Sequence, residues 1–396
     1  MSKPLDGIRV LELGQLIAGP FATKMLAEFG AEVIKIEPPG TGDPLRKWRL
    51  LHEGTSVWWA SQSRNKKSVT LNLHEPEGQD VIRRLVADVD VIVENFRPGT
   101  LEKWNLGFEA LRQINPKLIM LRVSGYGQTG PYKDLPGFGV VGEAMGGLRH
   151  LSGEPDRPPV RVGISIGDSL SALHGVIGVL LALRHRDQFN GAGQMIDVAL
   201  YESVFNMMES MIAEYSVFGQ VRQPAGSSLP GITPSNAYRC ADDKYALIAG
   251  NGDSIFKRLM SLIGRDDIGN DPAFQYNDGR SKQADYIDGV IGQWTAQHTL
   301  DQVLEQLHTH RIPGGRIYDA ADIAKDPHYR ARHMLVQGEL EDGTPVTLPG
   351  VLPKLSETPG DVRRRAPVLG QDTHEILDQL GIDATTRDDW KVRGII

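Results

Sequence analysis

Two short apolar runs near the N-terminus flank a segment of helical periodicity, and that arrangement leaves few folds open. Residues 8–13 (IRVLEL) suit a buried strand. Residues 21–29 follow with Phe21, Met25, Leu26 and Phe29 on one helical face; Gly30 ends the helix, and residues 33–36 (VIKI) read as a second strand. A helical connection between neighbouring strands is the crossover of a parallel pair, because tight turns join antiparallel ones. The alternation recurs with a helix at 78–88, a strand at 89–93, a helix at 101–113 and a strand at 118–123. These elements predict an α/β fold: a Rossmann-like large domain built on a parallel sheet.

From Val160 a strand-like stretch is expected to end at Gly167, ahead of a long apolar helix from about Ser169 to Arg186. Residues 194–200 then read as a strand and 202–218 as a helix. Residues 220–236 are rich in Gly, Pro and Ser and read as a linker. A smaller α/β module follows, with a strand at 245–249 and helices near 254–263 and 299–309. Asp342-Gly343 marks a turn, and 373–380 a short terminal helix. The expected organisation is a discontinuous large domain (1–219 with 330–396), a linker at 220–236 and a small domain at 237–329.

Charge and composition narrow the partners. With 43 basic and 50 acidic residues the formal charge is −7, which disfavours nucleic acid as a partner. The start of the chain, MSKPLDGIRVLELG, lacks the apolar stretch of a signal peptide. No run reaches about 18 uninterrupted apolar residues, so no membrane span is expected and the simplest address is cytoplasmic. A single cysteine, Cys240, allows no internal disulfide, and the eleven histidines show no metal-ligand spacing, so no metal is expected.

Several motifs invite a site. Gly125-Tyr126-Gly127-Gln128-Thr129-Gly130 matches a dinucleotide fingerprint, but Pro131, Pro136 and Gly137 follow where that motif needs a helix. Residues 14–19 lie between the first strand and first helix, where free backbone N–H groups can meet an anion. Glu37 sits where a ribose-binding acid would, or is simply a surface residue. Asp168 stands at the start of the long apolar helix beside Gly163 and Gly167. It can be an N-cap, or a covalent nucleophile open to an incoming thioester, and spacing leaves both open.

Several strings in order carry a family resemblance: Ile17-Ala18-Gly19-Pro20, GAEVIKIEPPGTGDPLR (30–46), RNKKSVTLNL (64–73), VENFRPGTLEKWNLGF (93–108), SGYGQTGP (124–131), Gly167-Asp168 and APVLGQ (366–371). The chain resembles the family III CoA-transferases over nearly its whole length. The resemblance implies that Asp168 is the nucleophile and that Gln15, Ile17, Ala18, Leu71, His74, Asn95, Phe96, Arg97 and Lys103 contact coenzyme A. It implies a homodimer of two chains interlocked as linked rings. It also implies transfer through an aspartyl anhydride and an aspartyl-CoA thioester, with a CoA thioester as substrate and no permanently bound cofactor. Succinyl-CoA or a similar short acyl-CoA is the expected donor, and a small carboxylic or dicarboxylic acid the acceptor.

Two alternatives stand beside this expectation. The related acyl-CoA racemases use a His-Asp pair that aligns with Phe138-Gly139, and neither residue can move a proton. A non-catalytic CoA-binding protein would keep Asp168 as a cap alone. Gln15 replaces a histidine of the formyl-CoA:oxalate enzymes, and only Gly226–Gly231 and Gly250-Asn251-Gly252 loosely replace their glycine-rich loop. An oxalate specificity is therefore disfavoured.

Overall fold

The computed structural model describes residues 2–396, which divide into two compact units. The first comprises residues 2–149, 161–220 and 328–396, and the second residues 150–160 and 221–327. The excursion at 150–160 and the Gly/Pro-rich stretch after Gln220 thus belong to the second unit.

The first unit is built on six parallel strands: β1 (Arg9–Glu12), β2 (Glu32–Glu37), β3 (Lys66–Thr70), β4 (Val91–Glu94), β5 (Ile119–Ser124) and β6 (Met195–Ala199). Their order is β3-β2-β1-β4-β5-β6, the Rossmann arrangement expected from the alternating runs. Leu11 stands in register with Ile34 on one side and Ile92 on the other. Because alternate side chains leave opposite faces, the sheet feeds two cores. One gathers Leu11, Ile34, Val69, Ile92 and Met120 under the helices α2 (Pro76–Val86) and α4 (Phe108–Ile114), with Ile376, Leu377 and Ile395 from the chain's end. The other gathers Val10, Val33, Val91, Val93 and Leu121 under α1 (Ala18–Glu28) and α6 (Ile166–Phe189). Between them along the chain lie the short helices α3 (Thr100–Lys103) and α5 (Gly139–Met145).

Helix α6 is 24 residues long and, by length and composition, apolar enough to cross a membrane. Ala172, Val176, Val179 and Leu183 nevertheless form a buried stripe packed on the sheet. The expected strand before Asp168 does not form. Val160, Val162 and Ile164 alternate with polar or small residues but lie exposed, outside every sheet. The helix expected over 202–218 is two helices, α7 (Leu200–Phe205) and α8 (Met211–Phe218).

In the second unit, β7 (Ser235–Arg239), β8 (Tyr245–Ala249) and β9 (Gly314–Arg316) pair antiparallel in the order β9-β8-β7. Phe256, Leu259, Ile287, Ile291, Val303 and Leu307 fill its own core.

Candidate active site

In an open α/β sheet, neighbouring strands whose connections leave in opposite directions open a crevice at their carboxyl ends. Here that point lies between β1 and β4. The loop after β1 carries Gln15, Leu16 and Ile17, and the loop after β4 carries Asn95, Phe96 and Arg97. The Asn95 side chain locks the two loops together: Gln15 N donates to its Oδ1 (2.8 Å), and its Nδ2 donates to Gln15 O (2.8 Å). Leu16 is forced into the left-handed region (φ 64°) and donates its N–H to Asp43 at 3.0 Å.

A buried set of charges holds this loop from below. Lys35 Nζ lies 2.8 Å from both Glu12 and Asp43, and Lys66 Nζ lies 2.8 Å from Glu12, with all four side chains buried. Burial alone would push the Asp43 carboxyl up, but Lys35 and the N–H groups of Leu45 and Leu16 outweigh it and hold it low. Burial lowers Lys66 to about 8, assisted by the repulsion of Lys35 and opposed by Glu12. Glu37 is neither a ribose ligand nor a surface residue. It is buried and bonded to Arg46 Nε (2.8 Å), Arg46 Nη2 (2.9 Å) and Ser68 Oγ (2.6 Å), leaving nothing for a sugar.

A cleft of about 190 Å³ opens over these loops, and its walls include Gln15, Asn95, Phe96, Arg97, Lys133 and Asp168. Ala18 also lines it. The remaining expected positions lie elsewhere. Leu71 is in the core with its N–H on Glu37 O, and Ile17 is buried, its carbonyl accepting from Gln62. His74 is exposed and meets Trp104 edge-on at 5.2 Å, and Phe96 meets the same ring at 5.5 Å. Lys103 is exposed on α3. Arg97 and Lys133 are both exposed, and among the described residues neither has a carboxylate partner.

Asp168 is the third residue of α6, not its cap; Ser165 holds the N-cap position without a side-chain bond. A first-turn carboxylate normally gains from the helix dipole. Here burial pushes the carboxyl up to about 6, the nearby Glu143 adds to the rise, and Arg161 only partly offsets it. The carboxylate is half-buried, and among the described residues its only hydrogen bond is to its own backbone N–H. It presses on the backbone of α5: a Cβ added at Gly139 would stand 2.1 Å from Asp168 Oδ2. The absence of a side chain at 139 is thus what makes room for the aspartate.

The glycines of the 125–130 motif serve the loop itself. A Cβ on Gly125 would lie 2.9 Å from the Gly137 Cα, so two backbone segments cross there at closest approach. Lys133, within that loop, went unnoticed in the sequence, as did Glu143 and Arg161. Lys133's signal was its place after β5, one of the strand ends that border the crevice.

Residues 5–373 match the model of CoA-transferase family III. The chain is 49% identical over 389 residues to the succinyl-CoA–D-citramalate CoA-transferase of Chloroflexus aurantiacus, covering 98% of this chain and 96% of that one. It is 44% identical to the beta subunit of the succinyl-CoA–L-malate CoA-transferase of the same organism, covering 95% and 94%. A crystal structure of a CaiB/BaiF family protein from Brucella suis superposes with a TM-score of 0.84 at 32% identity, covering 97% of this chain and all of the other. A profile matched across both units, and relatives matched end to end, place the protein in the family III CoA-transferases.

Proposed function

We propose that the protein moves CoA from succinyl-CoA, or a similar short acyl-CoA, to a small dicarboxylic acid, with Asp168 as covalent nucleophile. The observation that supports this reading is the Asp168 carboxylate at the cleft wall, half-buried and bonded to no other described residue. A carboxylate stripped of donors is more nucleophilic than one in water, and at a pKa of about 6 it is still mostly ionised at neutral pH. The two Chloroflexus relatives share succinyl-CoA as donor and take dicarboxylic acceptors.

Asp168 attacks the thioester carbonyl, the C–S bond breaks, and an aspartyl–succinyl anhydride forms with free CoA thiolate. The thiolate then attacks the aspartyl carbonyl, releasing succinate and leaving an aspartyl-CoA thioester. An acceptor carboxylate displaces the thiolate to form a second anhydride. Return of the thiolate to the acceptor's carbonyl gives the new thioester and restores Asp168. Thioester energy is conserved throughout, so the sequence needs neither metal nor bound cofactor. Arg97 and Lys133, which lack carboxylate partners, suit the CoA phosphates and keep the thiolate close between steps. Asn95 and Gln15 shape the wall, and Phe96, Trp104 and His74 form an aromatic group suited to adenine. Leu71 and Ile17 support these loops from within, and Lys103 adds charge at the rim. We place the enzyme in the cytosol, as a homodimer.

Asp168→Asn tests the reading. The fold should persist, because the carboxylate bonds no other residue, while CoA exchange from succinyl-CoA to a panel of acids falls at least about a thousandfold. Intact mass after incubation with succinyl-CoA should show a CoA adduct on the wild type and none on the variant. Full activity in a folded variant would remove Asp168 from the mechanism.

A further inference from the structure

We propose that Arg161, steadied by Glu143, holds the remote carboxylate of a dicarboxylic acyl group and makes the enzyme select dicarboxylates over neutral acids of equal length. The proposal deepens the CoA-transfer reading and rests on it.

Glu143 lies on α5, one turn past Gly139, and is fully buried. Its Oε2 is 3.4 Å from Arg149 Nε and its Oε1 is 3.5 Å from Arg161 Nη2. Oε1 nevertheless has no hydrogen-bond partner, so a buried carboxylate oxygen remains unsatisfied beside a guanidinium that keeps donors to spare. The Arg161 side chain is 44% exposed, enough to meet a substrate. The cluster adjoins the nucleophile. A Cβ on Gly167 would stand 3.5 Å from Glu143 Cγ, and Asp168 rests against Gly139 of the same helix as Glu143. Among the described residues, Arg161 is the one cation acting on the Asp168 charge. Neither Arg149, Arg161 nor Glu143 lines the cleft assigned to CoA, while Asp168 belongs to both places. A thioester carbonyl at Asp168 can therefore have CoA in the cleft and its acyl tail toward the cluster.

Charge balance makes the selection. In the free enzyme, Glu143 and ionised Asp168 together offset Arg149 and Arg161. Forming the anhydride turns Asp168 into a neutral group and leaves two guanidiniums facing one carboxylate. A succinyl group brings a second carboxylate, across a pair of methylenes, that restores the balance and can accept two parallel N–H bonds from Arg161. A butyryl group of the same length leaves the positive charge unmatched in a partly desolvated site.

The test compares kcat/KM for succinyl-CoA and butyryl-CoA in wild type, Arg161→Gln and Arg161→Lys, with one acceptor and at pH 8, where Asp168 is ionised. In a ping-pong sequence the donor's kcat/KM reports only the half-reaction with that donor. The wild type should prefer succinyl-CoA, and Arg161→Gln should shrink that preference by on the order of a hundredfold, the worth of a charged hydrogen-bonded contact. Lysine should restore part of it, because it keeps the charge and loses the fork. An equal fall for both donors would show Arg161 to be only a support for Glu143, and an unchanged preference would put the carboxylate elsewhere; either overturns the proposal. A wild type that forms no CoA adduct with any donor overturns the CoA-transfer reading itself, a failure visible before any variant is made.

Discussion

At Asp168 the demands of chemistry and stability pull apart. Burial and Glu143 raise its carboxyl to about 6, above the value near 3.9 of an aspartate in the unfolded chain. A carboxyl raised on folding favours the folded state fully only below its unfolded pKa, and that contribution is lost as pH rises through the folded pKa. The ionised nucleophile thus destabilises the protein at neutral pH. Donor kcat/KM should rise with pH along a single limb centred near pH 6 and level off above it. The melting temperature of Asp168→Asn should exceed that of the wild type, by a margin that grows between about pH 4 and pH 7. A flat rate profile over that range, or a margin that shrinks as pH rises, would mean that the carboxyl is not held up. Arg161 opposes the rise, so the residue proposed to read the substrate also helps keep the nucleophile ionised.

At the scale of elements, the site depends on how closely the start of α5 meets the first turn of α6. The Gly139 backbone lies against Asp168, a Cβ on Gly167 would stand 3.2 Å from Gly139 O, and one on Gly142 would stand 2.8 Å from the Leu200 Cβ. Gly139→Ala should leave secondary structure intact by circular dichroism and lower donor kcat/KM at least about a hundredfold, since a shift of about 1 Å at the reacting group can have that effect. Activity within a few-fold of wild type would show that α5 yields and that the close approach is incidental. This junction was hidden in the sequence. The period-two pattern of 160–167 looks like a strand, yet no neighbour pairs with it, and the two glycines gave no sign that they face each other. The sheet was far more legible, because β1, β2, β4 and β5 are apolar runs buried on both faces. Strand β3 (KKSVT) escaped because its buried polar residues are satisfied by partners, Lys66 by Glu12 and Ser68 by Glu37. Hydropathy cannot see charges that are paired only after folding. The crevice residues 15, 95, 96 and 97 were found by family resemblance, and the topology accounts for their position.

Across the whole molecule, the largest unexplained feature is apolar surface. The outer face of α6 exposes Leu173, Ile177, Leu180 and Leu181, and α8 exposes Ile212, Tyr215, Val217 and Phe218 with no residue of that helix buried. Soluble monomers seldom leave apolar patches beyond a few hundred Å² open to water, and a second copy of the chain would cover these. The protein should sediment at twice the chain mass of 43.5 kDa. Replacing both Ile177 and Leu181 with glutamate should yield monomers or aggregates, because the added charges would be buried without partners. Interlocking adds a kinetic signature that ordinary docking lacks. Two linked rings separate only when a chain unfolds, so dilution to nanomolar concentration would not dissociate them. Two differently tagged populations would then exchange subunits no faster than the protein unfolds. Exchange within minutes under native conditions would leave a docked dimer and exclude a linked one, while a wild type that sediments as a monomer would remove the dimer altogether.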